Sequence, residues 1–365
     1  MVATILLSIL TLSLLILLHE LGHFVFAKKF GVKVEEFGMF LPPRLWGKKI
    51  GETIYSINWI PFGGFVKMQG EDDNAQKEPR SFASKPIWQR AIIIAAGVIS
   101  FWLISIILLS AVFMSGAAEA VDDDDPATDA KVQIISVAGG SPASSAGILA
   151  GDIVKGIKID GQLTPIDKVA QVQEAAAVFS GREIILEVDR PGEGIVEIAL
   201  TPRENPPAGE GAMGVELMRT AQKSYSFFPA IGNGAVVTWR MTLGVFDGWA
   251  KVDWGQVIAQ LFKKNGSPET ELVGPIGIVG LMSDQAQMGW NYYLQFVAMI
   301  SVYLAVLNAL PIPALDGGRL IFLALEAIRR KPVSEKIEQS LTAVFYGLLM
   351  VLMLFVIVKD IIRLF

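Results

Sequence analysis

The sequence predicts a polytopic α-helical membrane protein with about four transmembrane helices and an inserted, extracytoplasmic, β-rich domain. Three observations carry this. Apolar residues are 52% of the 365-residue chain and mean hydropathy is +0.48, yet they are bunched into four runs. At 1.5 Å per residue each run is long enough to cross a bilayer. Lys and Arg crowd two of the connecting segments, and the middle of the chain alternates apolar and polar residues as a soluble domain does.

The first run, Val2 to Phe26, ends at Lys28-Lys29. It reads as a retained span: Met1-Val2-Ala3-Thr4 has no basic side chain and no Ala-x-Ala site follows, as a cleaved signal peptide requires. The second runs from Ile87 to about Ala117, the third from Tyr292 to Leu310, and the fourth from Leu341 to Ile362. Between the first two lie Lys28, Lys29, Lys33, Arg44, Lys48, Lys49, Lys67, Lys77, Arg80, Lys85 and Arg90; between the last two lie Arg319, Arg329, Arg330, Lys331 and Lys336. The positive-inside rule puts both loops in the cytoplasm. The termini and the middle domain then face outward, and Asp122 to Asp125 open that outer segment.

Residues 130–218 form the expected β-rich domain. Strand-like alternation appears at Lys131–Val137, Asp152–Asp160, Glu183–Arg190 and Ile195–Arg203, with a short helix at Ile166–Phe179. Gly139-Gly140, Gly161 and Pro191-Gly192 supply turns. Residues 225–285 mix Phe227, Phe228, Trp239, Phe246, Trp249 and Trp254 with Lys and Asp. Two readings stand for this linker: a helix in the membrane interface, where such aromatics collect, or a packed outer helix.

A net charge of −5 argues against a nucleic-acid partner. There are no cysteines, which removes disulfides and thiolate ligands. The only two histidines, His19 and His23, sit in the first span as His19-Glu20-Leu21-Gly22-His23. Residues i and i+4 share a helix face, so both imidazoles can reach one Zn2+, and Glu20 beside them can act as the catalytic base toward a metal-activated water. The alternative is a pair of satisfied core histidines. It suits poorly a membrane span, where each ionisable side chain costs at least about 2–3 kcal/mol.

Catalytic zinc takes three protein ligands. With no third His and no Cys, a carboxylate must complete the set, and Asp316 is the candidate. It lies in Asn308-Ala309-Leu310-Pro311-Ile312-Pro313-Ala314-Leu315-Asp316-Gly317-Gly318-Arg319, at the same cytoplasmic depth as the histidines. Pro311 and Pro313 break the helix and the glycines permit close backbone approach. The competing role for Asp316 is to cap a helix beginning near Gly317. Asn308, about two turns earlier, has an amide suited to substrate backbone or to an oxyanion; helix packing is the equal alternative.

The combination of His19-Glu20-x-x-His23 early and Asn308-x-x-Pro311-x-Pro313-x-Leu315-Asp316-Gly317 late resembles the bacterial site-2 proteases, regulated intramembrane metalloproteases. Pro61-Phe62-Gly63-Gly64-Phe65-Val66-Lys67-Met68 resembles their membrane-associated β-loop, within residues 29–86, and Gly274-Pro275-Ile276-Gly277-Ile278 resembles the segment before their third helix. Ser141-Pro142-Ala143-x-x-Ala146-Gly147-x-x-x-Gly151-Asp152 resembles a bacterial PDZ domain. The resemblance implies zinc on His19, His23 and Asp316, Glu20 as general base, and cleavage of single-pass membrane proteins within the lipid bilayer of the inner membrane. Anti-sigma factors and remnant signal peptides are the implied substrates. It also implies that Gly63, Gly64 and Phe65 belong to a loop that takes unwound substrate as an added strand. Some members carry two tandem PDZ domains, whereas residues 131–217 hold room for one. The single domain either binds a peptide C-terminus or excludes bulky substrates. A catalytically idle PDZ scaffold is the alternative of another class, but the chain keeps Glu20 and all three candidate ligands. An ion transporter would show more spans and paired half-repeats.

Overall fold

The computed structural model describes residues 2–70, 78–126, 129–207, 209–252, 255, 274–331 and 333–363. Lys77, Trp254 and most of 253–273 in the linker lie outside them. The chain divides into two units. One contains residues 1–110, 231–284 and 294–365, and the other contains 111–230 and 285–293.

The first unit is mainly helical. Helix α1 (Val2–Lys29) leads into strands β1 (Val34–Ile50) and β2 (Thr53–Met68), and helix α2 (Ile87–Ser115) follows. Among the described residues, four helices are long and apolar enough to cross a membrane: α1, α2, a helix over Trp290–Ala309 and one that includes Lys336–Ile362. In α1, Leu15, His19, His23 and Ala27 are buried at a four-residue spacing, while Leu6, Leu10, Leu14, Leu21 and Val25 are exposed. That is one packed stripe and one face for lipid.

Strands β1 and β2 turn at Gly51, whose φ of 63° suits a residue without Cβ. Their register is folded back on itself. Glu36–Met39 pair with Lys67–Gly64 on one edge and with Ile54–Ile57 on the other. The outer part presents Leu41, Trp46, Ile50, Trp59 and Ile60 as exposed side chains. Its base is tied to α1 by Glu52, which pairs with Lys28 at 2.8 Å and Arg80 at 2.6 Å.

The linker region resolves into helix α5 (Phe227–Lys251) and helix α6 (Pro275–Met288), numbered after two short helices of the second unit. Two buried threonines bind α5 to α2: Trp102 donates to Thr242 at 3.1 Å, and Thr238 bonds Ser105 at 3.1 Å. Helix α7 (Trp290–Ala309) ends before the prolines, and Asp316 opens a separate helix, α8 (Asp316–Arg329), so residues 292–318 hold the third span and the start of a second helix. Helix α9 (Glu335–Arg363) closes the chain. Its buried Asp360 accepts the N–H groups of Gly274 at 3.2 Å and Gly277 at 2.9 Å, capping α6 from a distant helix.

The second unit is β-rich. Its strands are β3 (Ala117–Ala120), β4 (Lys131–Val137), β5 (Ile153–Ile159), β6 (Gln162–Pro165), β7 (Ile184–Arg190), β8 (Gly194–Leu200) and β9 (Val215–Lys223), with helices α3 (Pro142–Ser145) and α4 (Val169–Val178). The sheet order is β3-β9-β4-β5-β7-β8, and β6 pairs with β5. Alternate residues Val132, Ile134, Ile184, Leu186 and Val188 meet Val172 and Ala176 of α4 in the core. The expected limits 130–218 are too narrow: β3 precedes them, and β9 continues to Lys223.

Within the Ser141–Asp152 motif, Ser141, Pro142 and Asp152 have local structural tasks. The Ser141 hydroxyl accepts the Ser144 N–H and Pro142 starts α3. Asp152, 1% exposed, takes a bidentate pair of bonds from Arg190 at 2.8 and 2.7 Å and also caps Leu149 N–H at 3.0 Å. Asp152 beside it pushes the Arg190 guanidinium up from its ordinary value.

Candidate metal centre

Two histidines at i and i+4 are held with both Nε2 atoms inward, 3.3 Å apart. For His23 the cause is a bond from Nδ1 to the Ile93 carbonyl at 2.9 Å. A carbonyl can only accept, so Nδ1 carries the proton and Nε2 keeps its lone pair. The His19 ring is stacked on Phe101, with centroids 4.6 Å apart and planes 15° off parallel. Both supports come from α2. That helix approaches because of two glycines. A Cβ on Gly22 would meet the Ala96 carbonyl oxygen at 2.5 Å, and one on Gly97 would meet His23 Nε2 at 2.2 Å. Small residues at a helix crossing permit this contact.

Asp316 arrives on a turn built for it. Helix α7 stops at Ala309, and the bonds Ile312 N–H to Leu310 O and Leu315 N–H to Ile312 O fold Leu310–Leu315 tightly. The next helix is tucked under that turn. A Cβ on Gly317 would lie 2.2 Å from Leu310 O, and one on Gly318 would lie 2.2 Å from Ile312 O. Asp316 is the first residue inside α8, with Leu315 at the cap position and no side-chain cap bond. Its carboxylate points at the histidines: Oδ2 is 3.3 Å from His19 Nε2 and 3.4 Å from His23 Nε2.

Three donor atoms thus form a nearly equilateral triangle. Tetrahedral zinc with bonds of about 2.0–2.1 Å has ligands about 3.3–3.4 Å apart, which is the edge observed. Asp316 Oδ2 is buried and has no hydrogen-bond donor of its own. A buried carboxylate oxygen facing two imidazole nitrogens, at least one of them presenting a lone pair, is costly unless a cation joins them. This donor set fits zinc, and among the described residues it is the one cluster of at least three His or acidic groups close enough to share an ion.

Glu20 lies outside the triangle. Its Oε2 accepts the Val66 N–H at 3.1 Å. Val66 belongs to the Gly64–Lys67 stretch of β2, whose other side pairs with β1. Since peptide groups alternate sides along a strand, Gly64 also turns its N–H and C=O to the outer edge, while Phe65 turns toward Gly38. The Phe65 ring fills the space above Gly38. Gly63 has a φ of 77°, and Gly64 packs so closely on Leu17 that a Cβ would lie 3.2 Å from its Cα. Asn308 is half-buried and donates Nδ2 to Leu304 O at 2.9 Å, within its own helix. Leu17, Phe37, Met39, Trp46, Tyr55, Ser56 and Ile57 line an apolar cleft alongside.

The chain is similar to known proteins over nearly its whole length. A profile described as peptidase family M50 matches residues 7–352. A Clostridium perfringens protein named as a candidate zinc metalloprotease is 33% identical over 356 residues, covering 97% of each chain. The regulator of sigma-W protease RasP of Bacillus subtilis is 27% identical over 451 aligned positions, covering 100% of this chain and 99% of its own. The zinc metalloprotease RasP of Shouchella clausii is 26% identical, covering 99% of each.

Proposed function

Because this chain belongs to peptidase family M50 and is a zinc metalloprotease with four candidate membrane spans, we propose that it cuts the transmembrane segments of single-pass membrane proteins. His19, His23 and Asp316 hold the zinc and Glu20 is the general base. The observation that carries this is the triangle of edges 3.3, 3.3 and 3.4 Å with a carboxylate beside it. Zinc, when bound, supplies Lewis acidity, acidifying a water and polarising the scissile carbonyl. Glu20 takes the proton of the attacking water on its carboxylate and returns it to the leaving amide nitrogen. The Val66 N–H fixes Glu20 Oε2 during both transfers. The Asn308 amide serves the developing oxyanion or the substrate backbone.

The outer edge at Gly63, Gly64 and Phe65 receives substrate as an added strand. A helical substrate hides its peptide groups in its own ladder, so it unwinds first, and the edge N–H and C=O of Gly64 replace part of what it gives up. The basic loops support an orientation in the inner membrane with the metal centre toward the cytoplasm and the β-rich unit outside. That unit is a single PDZ domain. In support, the edge of β9 over Val215–Met218 has no strand partner among the described residues, because β3 pairs only with Thr220–Lys223. An extended peptide C-terminus fits there, and steric exclusion of large ectodomains is its other use. A relative named regulator of sigma-W protease supports anti-sigma factors as a substrate class beside remnant signal peptides.

The test uses full-length protein in detergent, its zinc counted per chain, with a single-pass substrate. We expect one zinc and cleavage for the wild type, one zinc and no cleavage for Glu20→Gln, and loss of zinc for Asp316→Ala. Retention of full zinc by Asp316→Ala overturns the ligand set. Cleavage by Glu20→Gln overturns the general base.

A further inference from the structure

Arg90 and Glu326 are 236 positions apart and meet at 2.6 Å, with side chains only 15% and 17% exposed. Neither takes part in the chemistry above. Arg90 also donates Nε to the Lys85 carbonyl at 3.1 Å, so its guanidinium is fixed at both ends. From this geometry we infer that the Arg90–Glu326 pair is a positioning clamp for the metal centre. It sets the distance between the helix that carries Asp316 and the helix that cradles His23.

Helix α2 bears Arg90, Ile93, Gly97 and Phe101 on one stripe, within about 80° of arc at 100° per residue. The last three support the histidines: Ile93 by its carbonyl, Gly97 by its missing side chain and Phe101 by stacking. Arg90 is the remaining member and reaches the other way, to α8. On α8, Asp316, the buried Leu323 and Glu326 share a face of similar width. Asp316 stands at one end of α8, and Glu326 is about 15 Å along it. The tucked turn at Gly317-Gly318 fixes the start of α8. The Arg90–Glu326 bond adds a second fixed point near its far end. Arg suits this use because its planar fork loses little freedom per bond made. A rotation of α8 by a few degrees would shift Asp316 Oδ2 by tenths of an ångström, which the 3.3–3.4 Å triangle does not tolerate.

This inference rests on Asp316 being a zinc ligand, and the experiment separates the two. Zinc transfer to a soluble chelator is timed from full-length protein in detergent. In parallel, the visible bands of the cobalt-substituted protein report ligand geometry. Arg90→Ala and Glu326→Ala each release zinc about tenfold faster than wild type, the size typical of lost outer-shell support, and weaken the cobalt bands. The exchanged pair Arg90→Glu with Glu326→Arg restores slow release. Single changes leave a half-buried charge unpaired and can fail to fold; the double Arg90→Met with Glu326→Leu leaves none and still releases zinc fast. Wild-type release from that double variant, while Asp316→Ala loses its zinc, overturns the clamp. Full zinc in Asp316→Ala overturns the ligand reading beneath it.

Discussion

Gly97 lies so close beneath His23 that a Cβ there would fall 2.2 Å from the imidazole Nε2. Helix propensity and site geometry therefore demand opposite outcomes for Gly97→Ala. Propensity alone favours Ala by roughly 1 kcal/mol in a helix interior. Sterics forces the ring off its inward direction. We expect zinc content to fall at least about tenfold, on the scale of lost outer-shell support, while the helix content of the detergent-purified protein is unchanged. Zinc analysis with circular dichroism checks this; full zinc occupancy refutes it.

Val66 offers a cleaner separation of chemistry from folding. Its N–H faces Glu20 rather than the β1 ladder, so Pro is accommodated on that edge without losing a strand hydrogen bond. Val66→Pro should retain zinc and lower kcat by about tenfold or more, since it frees the base from its orienting donor. Unchanged kcat with bound zinc would count against that orienting role.

The Asp152–Arg190 pair in the β-rich unit should show the asymmetry of buried ions. Asp152→Ala leaves the guanidinium without its carboxylate and costs about 3–5 kcal/mol. Asp152→Leu with Arg190→Met should cost less than either single change. Limited proteolysis of full-length protein against urea gives the ranking.

Asp360 supplies two backbone donors of α6 with their acceptor. Asp360→Ala leaves the buried Gly274 N–H and the half-buried Gly277 N–H without their acceptor, at up to about 1–3 kcal/mol each. Hydrogen exchange at Gly274 and Gly277 should accelerate by about tenfold or more, whereas Asp360→Asn, which keeps one acceptor, sits between.

At the base of the β-hairpin, bonds from Arg80 and Lys28 hold the Glu52 carboxyl down to about 2, against 4.5 in the unfolded chain. A depressed value means the tie is complete above 4.5 and is lost as pH falls toward 2. Activity between pH 5 and 8 therefore owes no slope to Glu52. Glu52→Gln should lower activity by one modest factor across that range, and a pH profile that changes shape would contradict this.

The centre was legible to different depths. His19, Glu20 and His23 stand out because ionisable side chains are costly in such a span, and counting ligands makes Asp316 the candidate third. Ile93, Gly97 and Phe101 are hidden in an apolar run where every residue suits the bilayer. Their roles depend on which face of α2 meets α1, and lipid-like residues carry no mark of that. The Arg90–Glu326 contact joins two basic-loop neighbourhoods that read only as topology signals. Strands β3 and β6, four residues each, are too short for alternation to register. The linker was read by its aromatics; its structure is governed instead by Thr238 and Thr242, which meet partners on α2.

Two-thirds of the would-be metal set is synthesised first, and the last carboxylate only after nearly three hundred further residues. At about 5–20 residues per second, a growing chain spends many seconds unable to cut anything. Any product broken off before Asp316 inherits the same incapacity. On the proposed ligand set, cutting power is thereby withheld until the later helices are being made.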